Sequence, residues 1–332
     1  MTFRTAAVIG STAWGTTLAL LLARNGLEVT LFTRTPQEAA EIETTRQNTR
    51  RLPGIELPEL LHATSDAAAL EATGLVVIGT PAQTVAANLE PLVAHIASDA
   101  TVLSASKGIE ISTGRRMSEV IYDALPGRPV AALSGPNLSR EVSAGLPGTT
   151  VIASADASLD DLSAAFHGPT FRVYTTEDIV GVELGGALKN IFAIVGGMVD
   201  AFGYGDNAKG AILTRGLAEM TRLGVAAGAD PLTFQGLAGV GDLMASAYSK
   251  LSRNHRLGEL LGRGTSLADA VAEIGEAVEG AATTTAALGL AARYGVEMPI
   301  TQGLHAIMHE GQSPEDAVRA LLQREPRPER LS

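Results

Sequence analysis

Residues 6–34 read AAVIGSTAWGTTLALLLARNGLEVTLFTR, and this stretch decides the fold. A short apolar run, AAVIG, is followed by a helical pattern over residues 14–25 and then by a second run, EVTLF. Two strands that flank a helix, with glycine in the first turn, are typical of a parallel βαβ unit. The stretch therefore predicts the beginning of a parallel sheet that is covered by helices.

The same alternation continues through the first half of the chain. A polar helix is predicted from Pro36, and further strands are predicted at 75–79, 101–103, 129–133, 149–154 and 171–174. These runs are almost entirely apolar, as strands must be when helices cover both faces of a sheet. We therefore predict a doubly wound, parallel α/β sheet.

The second half has a different pattern. After Thr176 the β-branched runs stop, and Ala, Leu and Gly recur at helical spacing. Helix-start signals occur at Ser266 and Ser313, and glycines that end helices are expected at Gly203, Gly264 and Gly295. We predict an α/β dinucleotide-binding domain over residues 1–176 and an all-helical substrate-binding and catalytic domain over residues 177–332.

Composition sets limits on the function. The chain has 332 residues, of which 45% are apolar and 18% charged, which indicates two packed domains rather than a disordered chain. Its formal net charge of -11 repels nucleic acids and anionic lipids, so any anion site must be a local cluster of cations. Without cysteine there is no disulfide, thiolate nucleophile or Cys-ligated metal, which suits the cytoplasm. The apolar runs are too short for a signal peptide or a membrane span, so no membrane insertion is expected.

The first motif lies where the first strand turns into a helix. In such a turn the free N–H groups of a helix N-terminus bind a dinucleotide pyrophosphate. The residues are Gly10, Ser11, Thr12, Ala13, Trp14 and Gly15, with Thr12 replacing the second glycine of G-x-G-x-x-G. A strand-to-helix turn without a ligand is the alternative.

The end of the second strand bears on the choice of cofactor. The sequence there is Thr33-Arg34-Thr35, with no acid before Glu38 to bind an NAD ribose. Arg34 suits the 2′-phosphate of NADP and favours tolerance of that cofactor, although a solvated loop cation would look the same.

Two further motifs follow predicted strands. Lys107, in Ser106-Lys107-Gly108, lies at the carboxyl end of a strand, where open α/β sheets hold ligands. Ser134-Gly135-Pro136-Asn137 supplies a tight turn with small polar groups at the same edge. A surface lysine and an ordinary turn remain the plain alternatives.

Polar residues interrupt an apolar helix in the second half. Lys189 and Asn190 adjoin a stripe formed by Leu184, Leu188, Ile191 and Val195. Desolvation lowers the pKa of an amine, which would let Lys189 exchange a proton with an alcohol near neutral pH. The alternative is a lysine whose amine extends to solvent.

A possible phosphate site follows the sequence Gly239-Val240-Gly241-Asp242. Ser252 is predicted to cap a helix that runs to Arg263, so that Ser252, Arg253 and Asn254 share one helix N-terminus. A hydroxyl, a guanidinium, an amide and unpaired N–H groups together suit a phosphate, although an ordinary cap is also possible. Glu279 either caps its helix or contacts a cofactor hydroxyl.

Taken together, these strings resemble one family. GSTAWGTTLA, RLPGIELP (51–58), SKGIEISTG, SGPN, ELGGALKN, GVGDLMASAYSKLSRNHRLG and AVEG occur in the order seen in bacterial-type NAD(P)-dependent glycerol-3-phosphate dehydrogenases, and the resemblance covers residues 8–298. It implies a Rossmann-like domain followed by an all-helical domain, and a cytoplasmic homodimer without a metal. It also implies reversible hydride transfer between NADH or NADPH and dihydroxyacetone phosphate, yielding sn-glycerol 3-phosphate for phospholipid synthesis.

The resemblance also implies a role for each matching residue. Lys189 would donate and accept the proton at the C2 oxygen, with Asp242 and Asn190 orienting it, and Lys107 would contact substrate and cofactor. Substrate binding would further involve Gly135, Asn137, Ser252, Arg253 and Asn254. Cofactor binding would involve Gly10, Ser11, Thr12, Ala13, Trp14, Gly15, Arg34, Lys107, Ser139, Arg253, Ala277 and Glu279.

The chain departs from the family pattern at four positions. Thr12 replaces glycine, Ala13 replaces a serine that meets the cofactor, Asn137 replaces Ser or Thr, and Ser139 replaces Ala. We expect the Thr12 hydroxyl to bond locally or to phosphate, and to weaken dinucleotide affinity on the order of tenfold, the worth of one modest hydrogen bond.

Two other functions fit the sequence less well. A β-hydroxy-acid-type dehydrogenase with the same two-domain plan fits less well, because Arg253 at a helix N-terminus suits a phosphate dianion. A catalytically idle dinucleotide-binding regulator would have no use for Lys189 and Asp242.

Overall fold

The computed structural model describes residues 3–325 and Glu329, so the start of the first predicted domain and the end of the second lie partly outside the described residues. The described chain forms two compact units. One comprises the chain up to Lys107 together with Arg116–Glu183, and the other comprises Gly108–Arg115 and the chain from Leu184 onward. This division falls after Glu183 rather than after Thr176. The assignment of cofactor binding to residues 1–176 and of substrate binding to 177–332 stays a prediction.

The first unit is built on an eight-stranded sheet within the described residues, in the order β3-β2-β1-β4-β5-β6-β7-β8. The prediction of a Rossmann-like, doubly wound sheet is confirmed, because strand order runs outward from β1 in both directions. The strands are β1 Thr5–Ile9, β2 Glu28–Phe32, β3 Leu61–Thr64, β4 Leu75–Ile78, β5 Thr101–Ser104, β6 Val130–Ser134, β7 Gly148–Ala153 and β8 Phe171–Thr176.

Burial explains why these runs are apolar. Along β1, Val8 belongs to a core cluster on one face of the sheet and Ile9 to a cluster on the other, and neither is more than 2% exposed. Helices therefore cover both faces, as the apolar runs predicted. In register, Ile9 lies opposite both Phe32 and Ile78, so the carboxyl ends of β1, β2 and β4 share one edge.

Two features of the sheet differ from the prediction. Strand β3, Leu61–Thr64, was not predicted, and it pairs with β2 at the edge of the sheet. The sheet is not wholly parallel, because β6 and β7 pair antiparallel, with Leu133 opposite Ile152. Strands β7 and β8 are parallel to each other and run against the rest.

Helices flank the sheet and make up the second unit. After Thr176 and up to Glu325 the described chain is helical between loops, which confirms the all-α prediction. The helices are α1 Ala13–Arg24, α2 Pro36–Thr45, α3 Val85–Leu89, α4 Met117–Ala124, α5 Ser139–Ser143, α6 Leu159–Phe166, α7 Ile179–Ala201, α8 Gly205–Ala226, α9 Asp242–Tyr248, α10 Arg253–Gly262, α11 Leu267–Ile274, α12 Glu279–Tyr294, α13 Pro299–His309 and α14 Pro314–Leu322.

Local signals set several helix ends as predicted. Ser252, Ser266 and Ser313 each accept a hydrogen bond from an N–H group in the first turn of the following helix. Gly203, Gly264 and Gly295 adopt positive φ angles, which favour glycine where a helix ends.

Helix α7 is the core helix of the second unit. Among the described helices it alone is long and apolar enough to cross a membrane, with 23 residues and a mean hydropathy of 1.5. However, 83% of its apolar window is buried inside the protein. Its apolar surface is therefore used in packing.

Candidate active site

The turn between β1 and α1 has the geometry of an anion site. Gly10 has φ of +110°, and a Cβ on Gly15 would lie 2.0 Å from the Gly10 carbonyl oxygen, so both positions need glycine. The N–H groups of Ala13 and Trp14 open α1, where no intrahelical acceptor exists for them. These N–H groups are the kind that bind a pyrophosphate.

Thr12 fits this turn without strain. Its φ of -66° is ordinary for any residue, and its hydroxyl caps α1 by accepting from Gly15 N at 2.9 Å. The same hydroxyl donates to the Gly79 carbonyl oxygen at 2.8 Å. The expectation that the Thr12 hydroxyl bonds locally is thereby confirmed, whereas its effect on cofactor affinity stays a prediction.

One buried atom supports a dinucleotide at this edge. The indole Nε1 of Trp14 is a buried donor that has no acceptor among the described residues. Buried donors are normally paired, so an unpaired one beside the first turn of α1 fits a ligand that supplies an acceptor. The glycine turn, the helix N-terminus and this donor together fit NAD or NADP.

The other predicted residues of this unit follow strand ends. Arg34 is exposed just after β2. Lys107, after β5, donates from Nζ to the Gly135 carbonyl oxygen at 2.7 Å, so these two predicted residues are brought together. Asn137 is fixed by its Nδ2, which donates to the Thr149 carbonyl oxygen at 2.8 Å. Ser139 begins α5, and its carbonyl oxygen accepts from the Thr17 hydroxyl at 3.4 Å.

Two contacts at this turn were missed by the sequence analysis. Asn48, which is 3% exposed, donates to the Ser11 carbonyl oxygen at 2.9 Å and to the Thr16 hydroxyl at 2.8 Å, and so holds the turn. The Ser11 hydroxyl donates to Glu38 Oε1 at 2.6 Å. Both partners lie far along the chain, so no local pattern in the sequence signals them.

Replacing Thr12 with glycine tests the role of this residue in cofactor binding. We expect Thr12→Gly to bind NADH and NADPH about tenfold more tightly, because the Gly15 N–H is released and the backbone can approach the pyrophosphate. Fluorescence titration of both cofactors measures this. Thr12→Ser keeps the hydroxyl and should behave as the wild type. Equal or weaker binding by the glycine variant contradicts the idea.

In the second unit a buried ion pair joins α7 to α9. Lys189 Nζ lies 2.9 Å from Asp242 Oδ1, and the two side chains are 9% and 3% exposed. Lys189 also donates to the Ser246 hydroxyl, which donates in turn to Asp242 Oδ1 at 3.2 Å. The amine is thus held at a fixed place by two partners on one face of α9.

An unusual backbone brings Asp242 to this position. Residues Leu237–Gly241 form a π-helical turn that leads directly into α9. A Cβ on Gly239 would lie 2.1 Å from the Phe234 carbonyl oxygen, so the turn needs glycine there. Wide turns of this kind are frequent at functional sites. Ser246 was missed in the sequence, although its four-residue spacing from Asp242 places both on one helix face.

Amide side chains connect this pair to the first turn of α10. Asn254 Nδ2 donates to Asn190 Oδ1 at 2.8 Å, and Asn254 Oδ1 accepts from Gly280 N at 3.0 Å. Close approach of α10 to α7 depends on glycine, because a Cβ on Gly258 would lie 1.8 Å from the Ile194 carbonyl oxygen. Asn190, which follows Lys189, and Asn254, which follows Arg253, are therefore in direct contact.

The start of α10 has the predicted cap, and the binding of phosphate there stays a prediction. Ser252 caps the helix by accepting from His255 N at 3.3 Å. Arg253 is half exposed, and its Nη1 lies 3.1 Å from Glu276 Oε2, an acid that the sequence analysis missed. Ala277 is exposed in the loop before α12, and Glu279 is its first residue.

Asp200, Lys209 and His255 form a hydrogen-bonded network at the first turn of α10. Asp200 Oδ2 lies 2.7 Å from His255 Nε2 and 2.6 Å from Lys209 Nζ. Partial burial opposes ionisation of Asp200, but hydrogen bonds from Lys209 and His255 outweigh it and hold the pKa of this carboxyl below its usual range. The carboxylate therefore remains charged and fixes His255, which follows Asn254.

Comparison with known proteins points to one family. Residues 5–160 match the family described as "NAD-dependent glycerol-3-phosphate dehydrogenase N-terminus", and residues 178–319 match the corresponding C-terminus family. Relatives named "Glycerol-3-phosphate dehydrogenase [NAD(P)+]" occur in Streptomyces griseus and Streptomyces coelicolor, at 48% and 47% identity over 98% of each chain.

A solved structure agrees as well. The crystal structure of a glycerol-3-phosphate dehydrogenase from Coxiella burnetii superimposes with a TM-score of 0.93 at 38% identity, covering 97% of this chain and 99% of that one. Family models match both halves of the chain, and its sequence identity to these relatives is well above that of proteins that share only a fold. This chain therefore belongs to the NAD-dependent glycerol-3-phosphate dehydrogenase family.

Proposed function

We propose that the protein is an NAD(P)-dependent glycerol-3-phosphate dehydrogenase, which reduces dihydroxyacetone phosphate to sn-glycerol 3-phosphate and catalyses the reverse reaction. The buried Lys189–Asp242 pair, tied through Asn190 and Asn254 to the start of α10, is the observation that carries the proposal. A proton donor and a phosphate site within one helical unit are what a phosphorylated ketone requires.

Proton transfer is assigned to Lys189. The nicotinamide supplies or accepts the hydride at C2 when the cofactor is bound. During reduction, the Lys189 ammonium donates a proton to the C2 oxygen as the carbonyl becomes an alcohol, and the neutral amine takes it back in the reverse reaction. Asp242 and Ser246 hold the amine and stabilise its charged form, and Asn190 helps to orient it.

Phosphate binding is assigned to the start of α10. The guanidinium of Arg253 offers paired donors to the phosphate, and Ser252, Asn254 and the first-turn N–H groups add further donors. Arg253 then exchanges its bond to Glu276 for the phosphate dianion. Lys107, Gly135 and Asn137 are assigned to the rest of the substrate.

The cofactor is assigned to the glycine turn and to the further residues that the family resemblance names. The glycine turn (Gly10, Ser11, Thr12, Ala13, Trp14 and Gly15) would hold the pyrophosphate through the N–H groups that open α1, and Arg34 would bind the ribose end. Lys107, Ser139, Arg253, Ala277 and Glu279 complete the assigned cofactor set. Both NADH and NADPH are accepted by this assignment.

The location, oligomeric state and metabolic role of the enzyme are inferred from the same family. We infer a cytoplasmic homodimer that is not inserted in a membrane and that supplies glycerol 3-phosphate for phospholipid synthesis. The lack of cysteine and the burial of α7 support this setting. Light scattering of the purified protein at about twice the mass of one chain would support the dimer.

A direct assay tests the reaction. On adding dihydroxyacetone phosphate to enzyme and NADH, we expect the absorbance of NADH to fall and sn-glycerol 3-phosphate to accumulate in equal amount. Turnover of 2-keto acids but not of the keto phosphate would favour another two-domain dehydrogenase. Cofactor binding without turnover of either would favour an idle regulator.

A further inference from the structure

Helix α2 brings a carboxylate to the glycine turn. Glu38 lies in the first turn of α2, which Thr35 caps by accepting from Glu38 N at 3.3 Å. Gly10 N donates to the Phe32 carbonyl oxygen at 3.1 Å, so the end of β2 lies beside the turn. From there the Glu38 carboxylate reaches back to the Ser11 hydroxyl at 2.6 Å. The carboxylate is half-buried against the turn.

In folds of this type the adenine ribose binds at the carboxyl end of the second strand, beside the glycine turn. An acid at that strand end accepts a hydrogen bond from the 2′-hydroxyl of NADH and repels the 2′-phosphate of NADPH. Here the strand end carries the exposed cation Arg34 and no acid. The carboxylate at this place comes instead from the first turn of the following helix.

We propose that Glu38 is the residue that sets a preference for NADH over NADPH, in opposition to Arg34. This inference rests on the proposed function, since it concerns the cofactor of the same enzyme. A 2′-phosphate would bring up to two negative charges towards a fixed carboxylate, and Arg34 offsets only part of that repulsion because it is solvated.

Ser11 is a positioning residue in this scheme. Its hydroxyl holds one carboxylate oxygen of Glu38, which leaves the second oxygen for a ribose hydroxyl. If the Ser11–Glu38 bond served only to hold the turn on α2, loss of either partner would weaken the binding of both cofactors to the same degree. The preference for NADH over NADPH therefore separates a role in cofactor choice from a role in the fold.

The test measures the dissociation constants of NADH and NADPH by fluorescence titration, without turnover. In Glu38→Gln, which keeps shape and hydrogen bonding, we expect NADPH to bind about tenfold more tightly and NADH to bind no more tightly than in the wild type. Ser11→Ala removes the hydrogen bond that positions this carboxylate but leaves its charge, so the preference for NADH should weaken by less than in Glu38→Gln. Glu41→Gln removes an exposed charge one turn further along α2 and should change neither constant.

Calorimetric binding of adenosine 2′,5′-bisphosphate and of 5′-AMP repeats the comparison without the nicotinamide. We expect Glu38→Gln to gain affinity for the bisphosphate alone. Wild-type protein that binds NADPH as tightly as NADH, or a Glu38→Gln variant with an unchanged ratio, overturns the inference while the proposed function stands. Wild-type protein that binds neither dinucleotide overturns both.

Discussion

Lys189→Ala is expected to lower kcat for reduction of dihydroxyacetone phosphate by about 10²- to 10⁴-fold, the usual contribution of a positioned general acid. The reason is that Lys189 is the buried amine held by Asp242 and Ser246, and no other side chain is assigned to protonate the C2 oxygen. The dissociation constant of NADH should change little. Steady-state assays and fluorescence titration measure the two quantities.

The control must separate chemistry from folding. Removing the amine alone leaves the buried Asp242 carboxylate without its partner, which is costly. The double variant Lys189→Met/Asp242→Asn is neutral at both positions and should fold as the wild type by circular dichroism while staying inactive. Added ethylamine should restore part of the rate to Lys189→Ala, as a small amine can enter the space left by the side chain. An unchanged kcat in the alanine variant would remove Lys189 from the chemistry.

Much of the α/β unit follows from local patterns. Strand β2 was predicted as EVTLF and spans Glu28–Phe32, and a helix was expected to begin at Pro36, where α2 does begin. Apolar runs, capping residues and glycine ends are signals within a few residues of the feature that they set. They therefore identify elements well.

Features that depend on tertiary contact were not predictable in this way. Strand β3 lies at the edge of the sheet, so it contains only a short apolar stretch and its His62 is exposed. The antiparallel pairing of β6 and β7 could not be predicted from the sequence of either strand. An apolar run indicates that both faces of a strand are covered, but it does not indicate the direction of the strand.

The site shows the same limit. The cap at Ser252 was predicted from its local signal, and the family resemblance suggested the roles of Lys189 and Asp242. Ser246 and Glu276 were not anticipated, because the contact of Ser246 with Lys189 and that of Glu276 with Arg253 form only after distant segments pack. Acids beside cations are common on surfaces, so the sequence does not single out Glu276 as the partner of Arg253.

Arg253→Ala is expected to raise the KM for dihydroxyacetone phosphate about 100-fold, with a smaller effect on kcat. The estimate corresponds to loss of charge-assisted hydrogen bonds to one phosphate, about 2–3 kcal/mol. Glu276→Gln should act in the opposite direction and lower the KM by about two- to fivefold. The carboxylate 3.1 Å from Arg253 competes with the phosphate, but this pair is half exposed and correspondingly weak.

Unphosphorylated dihydroxyacetone makes the prediction specific. If Arg253 acts through the phosphate, kcat/KM for dihydroxyacetone should be nearly the same in the wild type and in Arg253→Ala, so the preference for the phosphorylated ketone falls about 100-fold. Inorganic phosphate should inhibit the wild type against dihydroxyacetone phosphate and should inhibit the variant far less. Equal losses on both ketones at saturating NADH would show that Arg253 acts through the cofactor or the fold of α10, and the phosphate assignment would then be wrong.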